Sequence, residues 1–381
     1  MQTIPFTRPY ISGNEQNYIS RLFNNGIFAG NGGFSKQSEE FLMELTGAKR
    51  VFLTSSGTAA LELMCITAGL QPGDEVILPS FTYPSTANSI LRAGAVPLFV
   101  DIRQDTFNLD HDLIEKAISK KTRALMPVHY AGVACDMESI LDLADKYDLV
   151  VLEDAAQAID AYHYSSHLGT LGKMGALSFH ETKNIHSGQG GALLINEEEL
   201  IPGAEIIFDH GTNRRQFLRG ETDSYSWKDS GSSFSMSEIS AAFLSAQLES
   251  VRKVTEERRN IWHRYHEAFA RYEEEGLLKR PHIPEYSKHN GHCYPLLFPS
   301  LEIREKIRHA LAEKGVMAHF HYVPLHSSEM GRSISGSGVD LPNTDNVSRC
   351  LLRMPLYSGL DIDECLGRIR QVFSAISFGG K

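Results

Sequence analysis

Short apolar runs separated by polar punctuation recur through roughly the first two hundred residues, at 50–53, 75–79, 96–100, 124–128, 149–153, 176–179 and 192–195. Runs of this length, apolar at successive positions, predict short strands covered on both faces. Helical spacing appears between them, at 58–68, closed by Gly69, and at 110–118. A strand, a turn and a helix in repetition predict an α/β unit with a parallel sheet. Ligands of such sheets sit beyond the carboxyl ends of the strands, so the polar residues just past them carry the first functional weight.

The pattern changes at 211–237, a Gly-, Ser- and Arg-rich stretch with little periodicity that reads as a long loop. Ser237 is placed to cap a helix, and 238–275 runs without Gly or Pro, which predicts one bent helix or two abutting ones bridging two domains. After Gly276 a smaller pattern follows: a strand at 293–298, a helix at 301–314 stopped by Gly315, a strand at 316–323, and helices near Asp345 and Asp361. That order predicts a compact α+β second domain, and 381 residues are enough for two cores.

Composition narrows the function classes. With 42% apolar and 22% charged residues and no long unbroken apolar stretch, no membrane span is expected. A net charge of −10 argues against nucleic acid as the partner, since phosphate backbones are bound through clustered Lys and Arg. The N-terminal MQTIPFTRPY lacks the marks of a secretion signal, so the cytoplasm is the expected location. Five scattered cysteines without a CxxC spacing predict reduced, buried thiols.

Three segments carry candidate chemistry. The run at 149–153 leads into the acid pair Glu153–Asp154, with Asp154 where a ligand would lie. A carboxylate there suits a pyridinium nitrogen that must stay protonated, although an isolated Asp equally well caps a turn. About thirty residues on, LSFHETKN brings Lys183 past another strand end; a desolvated lysine is a nucleophilic amine that forms Schiff bases with carbonyls. Ser178 beside it can donate to a phosphate. The third segment, TSSGTAALELM, sets Ser56, Gly57 and Thr58 at a helix N-terminus, where unpaired amides and the positive end of the dipole favour phosphate.

Taken in order, SSGTAAL, PSFTYPSTANSI, VLEDAAQ and SFHETKN resemble the DegT/DnrJ/EryC1/StrS aminotransferases, over essentially the whole chain. The resemblance implies an α/β fold of the aspartate-aminotransferase type (PLP fold type I). Its large domain, a mixed but mostly parallel sheet, would span residues 1–250 and its smaller C-terminal α+β domain 251–381. It further implies a homodimer with shared active sites and pyridoxal 5'-phosphate as cofactor. The substrates it implies are a nucleotide-linked keto-sugar and L-glutamate. By the same resemblance Lys183 forms the Schiff base and moves the proton, Asp154 pairs with the pyridine nitrogen and Gln157 meets the ring hydroxyl. Tyr83 stacks on the ring, and Ser56, Gly57, Thr58 and Ser178 hold the phosphate.

The sequence departs from the family in one segment. Many members carry an Asn and an Arg that reach the neighbouring subunit's site; GSSFSMSEISAA has Ser233 and Ser235 instead. Ser233 remains a candidate phosphate donor, and Arg214, Arg215 and Arg219 are candidates for the nucleotide diphosphate. His321, Tyr322 and His326 are candidates for substrate contact. The histidine pairs His163/His167 and His319/His321 lack the convergent carboxylates of a zinc site, and no metal is expected. Lys183 argues against the related branch that dehydrates keto-sugars, in which a histidine replaces the lysine. A three-position aminotransferase and a non-catalytic binding protein on the same scaffold stay open.

Overall fold

The computed structural model describes residues 2–335 and 338–375. In chain order its first nine strands are β1 (Arg50–Thr54), β2 (Glu75–Pro79), β3 (Val96–Val100), β4 (Thr122–Leu125), β5 (Val150–Asp154), β6 (Tyr162–His163), β7 (Ser166–His167), β8 (Met174–Ser178) and β9 (Gly191–Ile195). Seven of them form the main sheet in the order β1-β9-β8-β5-β4-β2-β3. From β3 to β8 all neighbours are parallel, and β9 runs antiparallel between β8 and β1. The mixed, mostly parallel sheet matches the expectation, and six of the seven expected strands lie within two residues of the observed ones. The run expected at 124–128 ends early: β4 stops at Leu125, and His129 and Tyr130 continue as a turn.

Alternation along the strands builds layers on both faces. On β1, Val51 and Leu53 face one core while Phe52 faces another with Leu61 and Met64 of the helix Gly57–Thr67. On β5, Leu152 joins that second cluster and Val151 packs on the other side with Ile140 and Ala144 of the helix Met137–Tyr147. Covering both faces explains why these strands read as unbroken apolar runs.

The stretch 238–275 is two abutting helices, Glu238–Leu248 and Val251–Glu274, with Ser237 accepting the Ser240 amide at 3.2 Å as the expected cap. The first turn of the second helix packs Val251 and Val254 on the main-sheet side; from Ile261 onward its buried residues join a separate C-terminal core. That core is completed by β11 (Tyr294–Leu297), β12 (Leu351–Met354) and the helices Leu301–Glu313 and Ile362–Ala375; the short β10 (Ser287–Lys288) instead pairs with β6. Ile4 also belongs to it and bridges Val316, so the start of the chain crosses the division drawn at residue 250.

The strand expected at 316–323 is absent. That segment touches its neighbours at single bridges, Ile4–Val316 and His319–Arg353. A strand would send adjacent side chains to opposite faces, whereas the His321 and Tyr322 rings stack at 3.7 Å on the same side. The stretch 211–237 is mostly irregular but contains a short helix, Arg214–Leu218. All five cysteines are buried and unpaired. Among the described residues no helix is long and apolar enough to cross a membrane.

Candidate active site

The order of strands gathers the three chemical segments at one edge of the sheet. Asp154 ends β5 opposite Ala176, Ser178 ends β8 two positions beyond Ala176, and Gly191 starts the antiparallel β9 opposite Thr54, just before Ser56 and Gly57. Because β9 runs backwards, its beginning lies beside the carboxyl ends of β1 and β8. A cavity of about 520 Å³ opens there, lined among others by Ser56, Gly57, Thr58, Tyr83, Asp154, Gln157, Ser178 and Lys183. His321 and Tyr322 also line it.

Glu153 and Asp154 show why the acid pair divides its labour. Glu153 is fully buried away from the cavity, accepting the amides of Gly169, Leu171 and Gly172 at 2.8, 2.7 and 2.6 Å. It is also bonded to His129 Nε2 at 2.8 Å; His129 Nδ1 accepts the Cys135 amide, which places the ring proton on Nε2. Asp154 faces the cavity. It accepts from the Thr86 hydroxyl at 2.8 Å and the Ala156 amide at 3.1 Å, and among the described residues no cation is in hydrogen-bond contact with its carboxylate. Burial pushes the Asp154 carboxyl up, opposed by Thr86, the Ala156 amide and the Lys183 charge.

Lys183 follows β8 in a turn, its amide donating to His180 O at 2.8 Å. Burial pushes its amine down to about 8, with Asp154 opposing and Arg353 adding to the fall. An amine of that kind is partly neutral near physiological pH and therefore nucleophilic.

The opposite corner is built for an oxyanion. Ser56 caps the helix Gly57–Thr67 by accepting the Ala59 amide at 3.0 Å, a contact worth about 1 kcal/mol. Thr58 and Ser85 hydroxyls lie 2.7 Å apart on the cavity wall. A Cβ on Gly57 would come within 2.8 Å of Ser178 Cβ, so only glycine lets the helix start lie this close to the β8 serine. These residues fit pyridoxal phosphate: amides and hydroxyls for its phosphate, a depressed amine for its carbonyl, and a buried carboxylate lacking a contacting cation for its protonated nitrogen.

Other candidates are engaged by neighbours or lie outside the cavity. Gln157 lines the cavity but is already engaged, its Nε2 donating to the Tyr322 hydroxyl at 2.6 Å and its Oε1 accepting the Ala131 amide at 2.7 Å. His326 is buried and does not line the cavity of its own chain; its ring sits on the Ser80 hydroxyl at 2.8 Å and links two segments. Ser233 bridges Asp209 and does not line the cavity of its own chain. Nor do the loop arginines. Arg219 is clamped by Glu205 (2.6 and 2.7 Å) and Glu221 (2.6 Å), Arg215 lies 4.5 Å over the Phe208 ring, and Arg214 is 4.0 Å from Asp209. Local acids and rings satisfy these charges, a matching that loop composition alone does not reveal.

Several cavity residues escaped the sequence reading, Thr86, Arg353, Arg258 and His292 among them. Thr86 was within reach: Pro84 marks a helix start, and Thr86 in its first turn is the donor that holds Asp154. Arg353 had a signal too, a lone charge inside the apolar run LLRMPL. Its Nη2 donates to Phe320 O at 3.0 Å and its Nε is buried without a hydrogen-bond partner among the described residues. Arg258 and His292 gave none. Arg258 donates to the carbonyls of Gly291 and His292 at 3.1 and 2.6 Å, and burial, with Lys183 and Arg258 nearby, holds His292 neutral.

A crevice with a depressed lysine, a facing carboxylate and a phosphate cup at a sheet edge defines a pyridoxal-phosphate enzyme of fold type I. The chain belongs to the DegT/DnrJ/EryC1/StrS aminotransferase family, whose profile matches residues 9–376. It is 31% identical to the spore coat polysaccharide biosynthesis protein SpsC of Bacillus subtilis over 97% of both chains. It is also 31% identical to the GDP-perosamine synthase of Caulobacter vibrioides, over 97% of this chain and 98% of that one. Among solved structures, Spr1654 of Streptococcus pneumoniae in its PMP form superposes with a TM-score of 0.88 at 26% identity, covering 97% of this chain and 99% of the other. This protein is accordingly a sugar aminotransferase that uses pyridoxal phosphate.

Proposed function

We propose that the protein moves the amino group of L-glutamate to the four position of a dTDP-4-keto-6-deoxyhexose. The products are 2-oxoglutarate and a dTDP-4-amino-4,6-dideoxyhexose of galacto configuration, destined for a bacterial surface polysaccharide. Within the family, GTNRRQFLRGETDSYSWKDSGSS, SFHETKN and PVHYAGVACDM resemble dTDP-4-amino-4,6-dideoxygalactose transaminase. The polysaccharide role of SpsC and the nucleotide sugar in the name of the Caulobacter relative point to the same substrate class.

The observation that carries the reading is that Lys183 and Asp154 line one cavity beside a phosphate cup. When bound, the cofactor supplies an electron sink for the carbon that loses or gains a proton. In this reading Lys183 Nζ takes that proton from the amino donor's carbon and returns one to the sugar carbon. Asp154, fixed by Thr86 and the Ala156 amide, holds the ring nitrogen protonated. Tyr83, 61% exposed on the cavity lip, covers the ring face. Ser56, Gly57, Thr58 and Ser178 receive the phosphate, and Gln157 reaches the ring hydroxyl at the expense of its bond to Tyr322. Arg353, with its spare Nε, receives an anionic group of the substrates, and His321 and Tyr322 line the sugar side. Exposed apolar residues such as Phe23 (72%) and Trp227 (81%) support a homodimer, through which Ser233 would reach the other subunit's site. The expected location is the cytoplasm.

The test is incubation with glutamate and a panel of dTDP- and GDP-linked 4-keto- and 3-keto-sugars, followed by NMR of the product. The reading expects an amine on C4 with galacto couplings from the dTDP substrate. An amine on C3, or turnover confined to GDP-sugars, would discard the proposed substrate.

A further inference from the structure

A second cavity, of about 440 Å³, opens between the helix Val251–Glu274 and residues 280–289, in a part of the molecule the transamination reading does not use. Its wall includes Arg259, Trp262 and His266 from the helix and Arg280 and His289 from the following segment. This volume falls in the range of small-molecule sites.

The wall is short of acceptors. Its one carboxylate, Glu273, is committed to Arg280, accepting from the Nε and from the backbone amide at 2.7 Å each. Arg280 spends a further N–H on His266 O at 2.7 Å. Arg259, by contrast, has no hydrogen-bond or ion-pair partner among the described residues, and its Nε is buried. The residue as a whole is half-buried, so its guanidinium presents a buried, unmatched Nε–H and a charge open to the cavity. His289 adds a second donor. It is only 3% exposed, and its Nδ1 accepts the Gly291 amide at 3.1 Å, which places the ring proton on Nε2.

The ring stack fixes the imidazole donor. Trp262 lies 4.7 Å from His266 at an interplanar angle of 15° and 4.5 Å from His289. Burial and the neighbouring arginines hold both histidines neutral, His266 at about 4 and His289 at about 3. A metal ion is a poor occupant despite the histidines. The Arg259 charge opposes a cation, and among the described residues no three His, Cys, Asp or Glu side chains are placed to hold one. What the cavity lacks is a compact group rich in acceptors and negative charge, which guanidinium forks match well.

We propose that this cavity binds a phosphate-class oxyanion, as the free ion or as a phosphate ester, through Arg259 and the Nε2–H of His289. The site stands apart from the cofactor cavity and does not depend on the transamination reading.

The chain carries its own reporter, since it has two tryptophans and Trp262 is in the cavity wall. In Trp227→Phe, Trp262 is the only indole. The pyridoxal-phosphate-loaded variant is titrated with inorganic phosphate, pyrophosphate and glycerol phosphate, with sodium chloride holding ionic strength constant. The proposal expects a saturable change in Trp262 fluorescence whose affinity weakens at least about tenfold in Arg259→Gln. Arg259→Lys should keep part of it, and sugar-amination rates should stay within about twofold because Arg259 does not line the cofactor cavity. Tighter binding of glycerol phosphate than of phosphate marks an ester as the occupant, and the reverse marks the free ion. No saturable change, a change reproduced by chloride, or an unaltered titration curve in a folded Arg259→Gln overturns the proposal.

Discussion

One wall of the cofactor cavity is the carboxyl edge of the seven-stranded sheet, carrying Ser56, Gly57, Asp154, Ser178 and the following Lys183. The facing wall is drawn from separate stretches of the second half of the chain: Arg258, His292, His321, Tyr322 and Arg353. On the sheet wall each functional residue ends a strand or follows one within a few residues, and the strands' neighbours are fixed by backbone hydrogen bonds, so a local motif already determines its position. On the facing wall position comes from side chains meeting across the fold, as when His321 Nδ1 finds the Tyr130 hydroxyl at 2.7 Å. The first wall holds the residues proposed for cofactor chemistry. The second holds cations and rings suited to distinguishing one substrate from another.

Substitutions on the two walls should therefore fail differently. The largest loss is expected at the sheet edge: Lys183→Ala should lower turnover by roughly a thousandfold or more, since it removes both the amine and the proton carrier. Asp154→Asn should keep the Thr86 contact yet lower kcat by on the order of a hundredfold, with substrate KM little changed, because a neutral amide no longer favours a protonated ring nitrogen. Steady-state kinetics that moved KM instead of kcat would erase the division between the walls.

Across the cavity the expectation reverses. Arg353→Gln should raise KM for an anionic substrate by about ten- to a hundredfold, the worth of a charge-assisted hydrogen bond, while kcat stays within a few-fold. Separate half-reactions with glutamate and with the amino sugar would show which substrate it holds.

A smaller, graded effect is expected from pH. With its amine at about 8, well below the ordinary 10.5, Lys183 is mostly protonated below that value and mostly neutral above it. The rate of cofactor capture by the cofactor-free protein should rise about tenfold per pH unit below 8 and level off above. Stopped-flow absorbance across pH 6 to 10 reads this directly, and a flat profile would show that the lysine is not the depressed group. Least of all is expected from Arg219→Ala. Its pairing with the exposed Glu221 is worth about 0–1 kcal/mol and that with the buried Glu205 bears on stability, so sugar KM should not move if its own chain's cavity is where the sugar binds.

The same contrast governs how much could be read in advance. Strands buried on both faces announce themselves as apolar runs, so the sheet was legible, and the polar residues at its edge, Asp154, Ser178 and Lys183, gained weight once their segments were read together. The stretch 316–323 was misread because Val316 and Ala318 are buried like strand residues, while His321 and Tyr322 turn together into the cavity. His326 and the loop arginines were legible as polar residues but not in their partners. Ser80 lies 246 positions from His326, and the Glu205 that clamps Arg219 belongs to a different helix.

The most direct test of the account is to fix the cofactor where it sits: borohydride reduction of the loaded wild-type protein, followed by peptide mass mapping. The account predicts one pyridoxyl group per chain, on Lys183. A label on any other lysine, or a loaded protein that takes up none, would contradict it.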